Sequence, residues 1–160
     1  MAEIDFDLSN LTRADLAQKL GPPACNETVG EATSLKWTLS GEPFFLSASF
    51  LVFGQEIESC NVPSTLILQG PPMTSVSNIK LAGIRPGDSE EHVKKLFEKE
   101  ERTFLLGYKR IKWNENWLVQ WLGVRGKISM VICVNEGLIR RTWEERKRGQ
   151  EIPSASADLS

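Results

Sequence analysis

The stretch LTRADLAQKL, residues 11–20, has the pattern of a short amphipathic helix, and a second stretch further along the chain repeats it. In that second stretch, IRPGDSEEHVKKLF at residues 84–97, Val93 matches Leu16 and Phe97 matches Leu20, an offset of 77 residues. A run rich in β-forming residues follows each stretch. A helix followed by an antiparallel meander, given twice, predicts one continuous sheet with helices on one face.

Several segments alternate between apolar and other residues, as strands with one buried face do. The clearest is FFLSASFLVF at residues 44–53, in which every second residue is apolar and Ser47 and Ser49 share the mixed face. The second half predicts further strands at residues 109–113, 117–124, 127–134 and 138–143. The fold class is therefore predicted to be α+β, an antiparallel sheet with helices packed on one face, in two unequal tandem repeats.

The length of 160 residues allows a sizeable core, since a chain of this size buries roughly 68–70% of its unfolded surface. We expect a single domain over residues 1–153, built from repeat-like units at 8–68 and 79–148. The last residues, 154–160, are small and polar, which predicts a disordered tail.

The composition points to a reducing compartment. Cys25, Cys60 and Cys133 are odd in number and far apart, so they do not predict a disulfide framework. The N-terminus lacks the basic and apolar regions of a signal peptide, and no run approaches the roughly 20 apolar residues of a membrane span. The sequence predicts a cytoplasmic protein that does not associate with a membrane.

A search for catalytic groups gives little. The single histidine, His92, lies among charged residues at the start of a helix and has no nucleophile beside it. The cysteines are too scattered for a zinc site, and no glycine-rich phosphate loop is present. We therefore expect a protein that is not an enzyme, with no catalytic residue, no metal and no cofactor.

The tryptophans suggest a binding surface. Trp117 and Trp121 share one face of a predicted strand, and the other face of that strand is also apolar. Helices cover only one face of a two-layer fold, so one apolar face is either buried by another part of the chain or exposed to a partner. Exposed tryptophans on a rigid sheet make good interface anchors. The candidate partner-binding residues are Trp37, Glu42, Ser47, Ser49, Glu56, Glu58, Trp117 and Trp121.

Charge is divided between the halves although the net charge is only −2. Residues 1–78 hold three basic and nine acidic residues, whereas residues 79–153 hold sixteen basic and eleven acidic ones. Such segregation can steer a charged partner, or it can reflect solvated faces that differ by chance. The glutamates of the candidate set, together with Asp5, Asp7 and Asp15, suggest an acidic docking surface. The basic cluster near Trp143 is interrupted by acids, which argues against nucleic-acid binding.

A helix followed by a meander is seen in residues 11–23 with 35–61 and again in residues 84–97 with 109–143, and a Gly-Pro break ends the first helix only. This order resembles the beta-lactamase inhibitory protein family and its small-lipoprotein relatives. In that family each repeat is a helical element packed on an antiparallel sheet. The resemblance implies that the two sheets join and offer a concave face that grips another protein.

A small cytoplasmic binder with an acidic region also resembles bacterial toxin-immunity proteins, the antitoxins of systems such as contact-dependent inhibition. That resemblance implies a monomer that binds a cognate protein toxin domain, such as a nuclease, in a 1:1 complex. Two alternatives remain open. A secretion chaperone would expose apolar strands to an unfolded client, and a small-ligand or lipid carrier would line a pocket with Trp117 and Trp121.

Overall fold

The computed structural model describes residues 3–38, 43–51, 60–71, 76–105 and 109–159, and for residues 149–159 only the backbone. Within these ranges the architecture is α+β, with an antiparallel sheet of eight strands and three α-helices. The helices are α1 (Arg13–Leu20), α2 (Glu90–Lys99) and α3 (Glu136–Leu159). The strands are β1 (Ile4–Phe6), β2 (Cys25–Val29), β3 (Ala32–Thr38), β4 (Phe45–Leu51), β5 (Thr65–Gln69), β6 (Ile79–Leu81), β7 (Thr103–Phe104), β8 (Arg110–Lys112), β9 (Trp117–Val124) and β10 (Lys127–Asn135).

The eight-stranded sheet joins the two halves of the chain at its centre. Its strand order is β2-β3-β4-β5-β10-β9-β8-β7, and every neighbouring pair is antiparallel. The halves meet where β5 pairs with β10, with Leu66 opposite Cys133 and Leu68 opposite Val131. A second link is the parallel pair of β1 and β6, in which Phe6 lies opposite Leu81.

One face of the sheet, called the inner face, is buried across the strands that lie between the edge strands β2 and β7. Strand alternation and the pairing register place its side chains side by side, and each is at most 7% exposed. The inner-face residues are Thr33, Leu35, Trp37, Leu46, Ala48, Phe50, Leu66, Leu68, Ile111, Trp117, Val119, Trp121, Val131 and Cys133. The same buried cluster contains Leu16 of α1 and Val93 and Phe97 of α2. The residues that matched in the sequence, Leu16 and Val93, are therefore both in the core.

Side-chain caps fix where the helices begin. Thr12 Oγ1 accepts a hydrogen bond from the Asp15 amide, and the Asp15 carboxylate accepts one from the Thr12 amide, forming a capping box. Ser89 caps α2, its Oγ accepting a hydrogen bond from the His92 amide. At α3, the Oδ1 atom of Asn135 accepts a hydrogen bond from the Leu138 amide at 3.1 Å.

The strand predicted at residues 138–143 is wrong, because these residues belong to α3. The residues Asn-Glu-Gly at 135–137 had the composition of a hairpin turn, but Asn135 instead caps a helix. Leu138 and Thr142 are both buried, at the four-residue spacing of one helical face. The helix continues to Leu159 and so includes most of the tail for which the sequence predicts disorder. Once a helix is nucleated, each added residue costs little and gains a hydrogen bond.

Strand β2 is also absent from the sequence prediction, which places a polar loop through Val29. All five of its residues are exposed, so no apolar alternation marks it. It forms by hairpin pairing with β3, through a turn at Gly30 with a φ of 60°. The predicted strands at β4, β9 and β10 are confirmed. None of the helices in the described ranges combines the length and the hydrophobicity that crossing a bilayer requires.

Candidate functional site

The face of the sheet opposite the inner face, called the outer face, is only partly buried. Its central side chains keep some exposed area, and Leu122 is 44% exposed. Three rows cross the four central strands in register: Phe45, Gln69, Met130 and Leu122; Ser47, Ile67, Ile132 and Gln120; Ser49, Thr65, Val134 and Leu118. The outer face therefore presents an apolar centre interleaved with hydroxyl and amide groups, a composition that suits a protein interface.

The candidate tryptophans lie on the inner face. Trp37, Trp117 and Trp121 are 2%, 3% and 1% exposed. The Nε1 atom of Trp37 donates a hydrogen bond to the carbonyl of Gly21, which follows α1, at 2.9 Å. The rings of Trp121 and Phe97 of α2 lie 5.6 Å apart between centroids. These tryptophans belong to the core, the alternative that the sequence left open, and a protein partner cannot pack on their rings without disrupting the core.

The other candidate residues divide into two groups. Ser47 and Ser49 lie on the outer face, where Ser49 Oγ is 3.3 Å from Ser34 Oγ. Glu42, Glu56 and Glu58 lie outside the described residues. The structure therefore brings the two serines together with an apolar patch and separates them from the three tryptophans.

Part of the charge division between the halves is used inside the molecule. Glu3 forms ion pairs with Arg85 and with Lys80, at 3.3 Å for the latter. Desolvation raises the pKa of the Glu3 carboxyl, but the hydrogen bond and charge of Lys80 and the charge of Arg85 outweigh it and lower that pKa overall. Glu31 pairs with Arg146 of α3. These acidic residues of the first half therefore form ion pairs with basic residues of the second half.

Among the described outer-face side chains, basic groups outnumber acidic ones. Lys36, Arg110 and Lys112 lie toward the two edges of the face, against Glu27 alone on the acidic side. The Lys36 ammonium lies 4.1 Å from the centroid of the Phe45 ring. The predicted acidic docking surface therefore does not coincide with the described part of the outer face.

Two of the predicted acidic residues line a hollow elsewhere. Asp5 and Asp7 meet Glu100, at the end of α2, around a cavity of about 370 Å³ that Phe6 and Trp113 also line. Asp7 caps the short 3₁₀ helix, and Asp5 Oδ1 accepts a hydrogen bond from the Gly83 amide at 3.3 Å. Both carboxylates thus also support local backbone structure.

A second cavity, of about 190 Å³, lies beside Trp121 and is lined also by Glu90, Glu91, Lys94 and Lys109. Lys109 Nζ is 3.0 Å from Glu90 Oε1. The sequence did not indicate this cavity, because Glu90 and Glu91 have the pattern of helix-surface charge and Trp121 that of an interface anchor. Only the tertiary packing of α2 on β9 brings them together.

Among the described residues the possible metal ligands are dispersed, and the buried cysteine is held in its protonated form. No three His, Cys, Asp or Glu side chains in the described ranges are grouped so that they could hold a metal ion. Cys133 is fully buried, and desolvation strongly raises the pKa of its thiol, which keeps it protonated. Compared with known proteins, the chain matches no family model, no curated protein and no solved structure.

Proposed function

We propose that this protein is an immunity-type inhibitor that binds and neutralises a cognate protein toxin domain through the outer face of its sheet. The observation that supports this most is the apolar centre of the outer face, which stays partly exposed on the four central strands. On the same strands the inner face is closed by the core. Large apolar patches left on a well-packed scaffold commonly mark interaction sites.

The size of the outer face fits such a role. Strands in a sheet are about 4.8 Å apart, so the four central strands set β4 and β9 about 14 Å from each other. All eight strands together, at seven such spacings, span about 34 Å, which is wide enough for a standard interface of roughly 800 Å² per partner. Because every central strand is hydrogen-bonded on both sides, the face is held rigid and little conformational entropy is lost on binding.

The proposal includes a duplicated architecture. In each half a short strand, a helix and four further strands follow in the same order, and the two sets of four strands take mirrored places about the β5–β10 pair. Side chains of α1 and α2 join the same buried cluster as the inner face. This supports two related units with both helices on one face of the sheet, the arrangement that the resemblance to inhibitory proteins implies.

The charges of the outer-face side chains indicate which kind of toxin surface the sheet would bind. Basic groups at both edges of the described outer face favour a toxin surface that carries carboxylates around an apolar centre. They do not favour the basic active site of a nuclease as the contact surface, because positive charges would then face each other across the interface. The toxin surface is therefore proposed to be neutral to acidic where it meets the sheet.

The test is co-expression with the product of the adjacent upstream gene, followed by calorimetry of the purified proteins. We expect a 1:1 complex that Leu122→Lys weakens at least about tenfold, because an ammonium then enters the apolar centre of the interface. The matched control is Val76→Lys, the same kind of change at an equally exposed position (44%) that lies outside the sheet. Absence of a complex, or equal binding by both variants, would sink the proposal.

The chaperone alternative predicts a different assembly. A client-binding chaperone would form a homodimer in solution, whereas the inhibitor is proposed to be a monomer that pairs with one toxin. Sedimentation equilibrium of the purified chain separates the two. A stable homodimer that Leu122→Lys dissociates would show that the outer face joins two copies instead.

A further inference from the structure

The cavity beside Trp121 contains two buried polar atoms whose hydrogen-bonding capacity is unused. Trp121 Nε1 is a donor with no acceptor, and Glu90 Oε1 is an acceptor with no donor, among the residues that the structure describes. Lys109 Nζ is close enough to Glu90 Oε1 for an ion pair, at 3.0 Å, but does not complete a hydrogen bond. Both residues line the same space of about 190 Å³. Leaving such groups unpaired costs free energy, so a bound group that satisfies both would be favoured.

The residues that line the cavity determine which chemical groups a ligand needs in order to bind there. The indole N–H requires an acceptor oxygen, and the ammonium groups of Lys94 and Lys109 on the same wall favour a negatively charged one. The carboxylates of Glu90 and Glu91 favour a positively charged donor. Lys109 pairs with Glu90, while Lys94 and Glu91 also pair along α2 with Glu98 and Lys95. A ligand that carries both charges adds no net charge to these pairs.

The position of the Glu90 carboxylate depends on a glycine in β9. A Cβ atom at Gly123 would lie 1.9 Å from Glu90 Oε1, so only glycine leaves room for the carboxylate where it stands. The carboxylate thus lies against the sheet backbone two residues from Trp121. Glu90 and Trp121 thus line the cavity from neighbouring elements, α2 and β9.

We propose that this cavity binds a small zwitterion of the α-amino acid class. Its carboxylate accepts from Trp121 Nε1 beside the lysines, and its ammonium group donates to Glu90. The volume equals about six water molecules at roughly 30 Å³ each, which suits an amino acid of the size of alanine. This site is separate from the outer face, so the proposal holds or fails independently of the proposed toxin partner.

The experiment is a titration of the full chain, labelled with ¹⁵N, while the indole N–H signals of its five tryptophans are recorded. Alanine should shift the Trp121 signal saturably, and Trp121→Phe identifies that signal by its loss. Propionate and ethylammonium each lack one charge and should bind at least about tenfold more weakly. No shift with alanine, or propionate binding as tightly as alanine, overturns the proposal.

Two variants test the geometry. Glu90→Gln removes the carboxylate charge, and Gly123→Ala displaces the carboxylate without changing any charge, so both should weaken alanine binding at least about tenfold. Glu115→Gln is the control, the same substitution as at Glu90 but at an exposed position outside the cavity. Equal alanine affinity in Glu90→Gln and Glu115→Gln contradicts the proposed ammonium contact. If Trp121→Phe does not fold, the alanine titration of the unchanged chain still decides.

Discussion

Trp121 and Leu122 are neighbours in β9, yet one is 1% exposed and the other 44%. The difference follows from the two faces of one sheet, since successive side chains of a strand point to opposite sides. Both faces of β9 are rich in apolar residues, so hydrophobicity alone does not separate them. What separates them is the packing of α2, whose Phe97 meets the ring of Trp121. The inner face provides stability, whereas the outer face keeps part of its apolar surface exposed.

The largest expected effect is on the inner face. Trp121→Ala removes the ring that packs on Phe97 and leaves a cavity in the core, which typically costs about 3–5 kcal/mol. Urea denaturation should show a lower midpoint with an unchanged slope. A decrease of less than about 1 kcal/mol in the free energy of unfolding would mean that α2 does not cover the inner face. The two faces would then not differ in their contribution to stability.

An intermediate effect is expected where α3 leaves the sheet. Asn135→Ala removes the cap on the Leu138 amide at a position only 3% exposed, which should cost roughly 1–2 kcal/mol. Thermal unfolding followed by circular dichroism measures it. Asn26→Ala, an exposed asparagine on edge strand β2, serves as the control and should stay within about 0.5 kcal/mol. Equal losses in the two variants would refute the capping role.

A smaller effect is expected on the outer face. Leu122→Ala truncates a side chain that is 44% exposed, so it should cost less than about 1 kcal/mol. The same denaturation experiment as for Trp121→Ala gives a direct ratio between the two faces. A cost that rivals that of Trp121→Ala would show that another part of the chain buries the outer face.

The smallest expected effect concerns Glu3, which links the halves on the protein surface. Its pKa is lowered in the folded state, so its ion pairs stabilise the fold fully only above the ordinary glutamate pKa of about 4.3. That contribution is lost as the pH falls through the lowered pKa. Glu3→Gln should therefore be slightly less stable than the unchanged chain at neutral pH and equally stable in acid. A difference that grows on acidification would contradict this assignment.

The strands that the sequence predicted best are those with one buried face. β9 and β10 were predicted almost to the residue, because each is a run of eight or nine mostly apolar, β-forming residues. β2 carries no such signal, since none of its side chains is buried, and it exists only because β3 pairs with it. The C-terminal helix was missed because the turn chemistry of Asn135 suits both a hairpin and a helix cap.

The candidate site was harder to predict, because it too depends on contacts between segments that are distant in the sequence. The sequence showed that both faces of β9 are apolar, but which face the helices cover depends on contacts between distant segments such as Phe97 and Trp121. Charge was similarly ambiguous. The acids of the first half looked available to a partner, whereas Glu3 and Glu31 bind bases from the second half. Neither the face that the helices cover nor the pairing of these charges can be predicted from a local sequence pattern.

The pairing of β5 with β10 at the centre of the sheet has a consequence for biosynthesis. During translation β5 is made well before β10, so the ribbon of β2 to β5 exists for a time with the hydrogen-bonding edge of β5 unsatisfied. The late-forming contact spans a long stretch of chain, which slows its closure. Two nascent copies that meet in that interval can exchange their C-terminal halves and bury the same surfaces. The strand pair that joins the halves is thus also the place where two molecules can form a domain-swapped dimer.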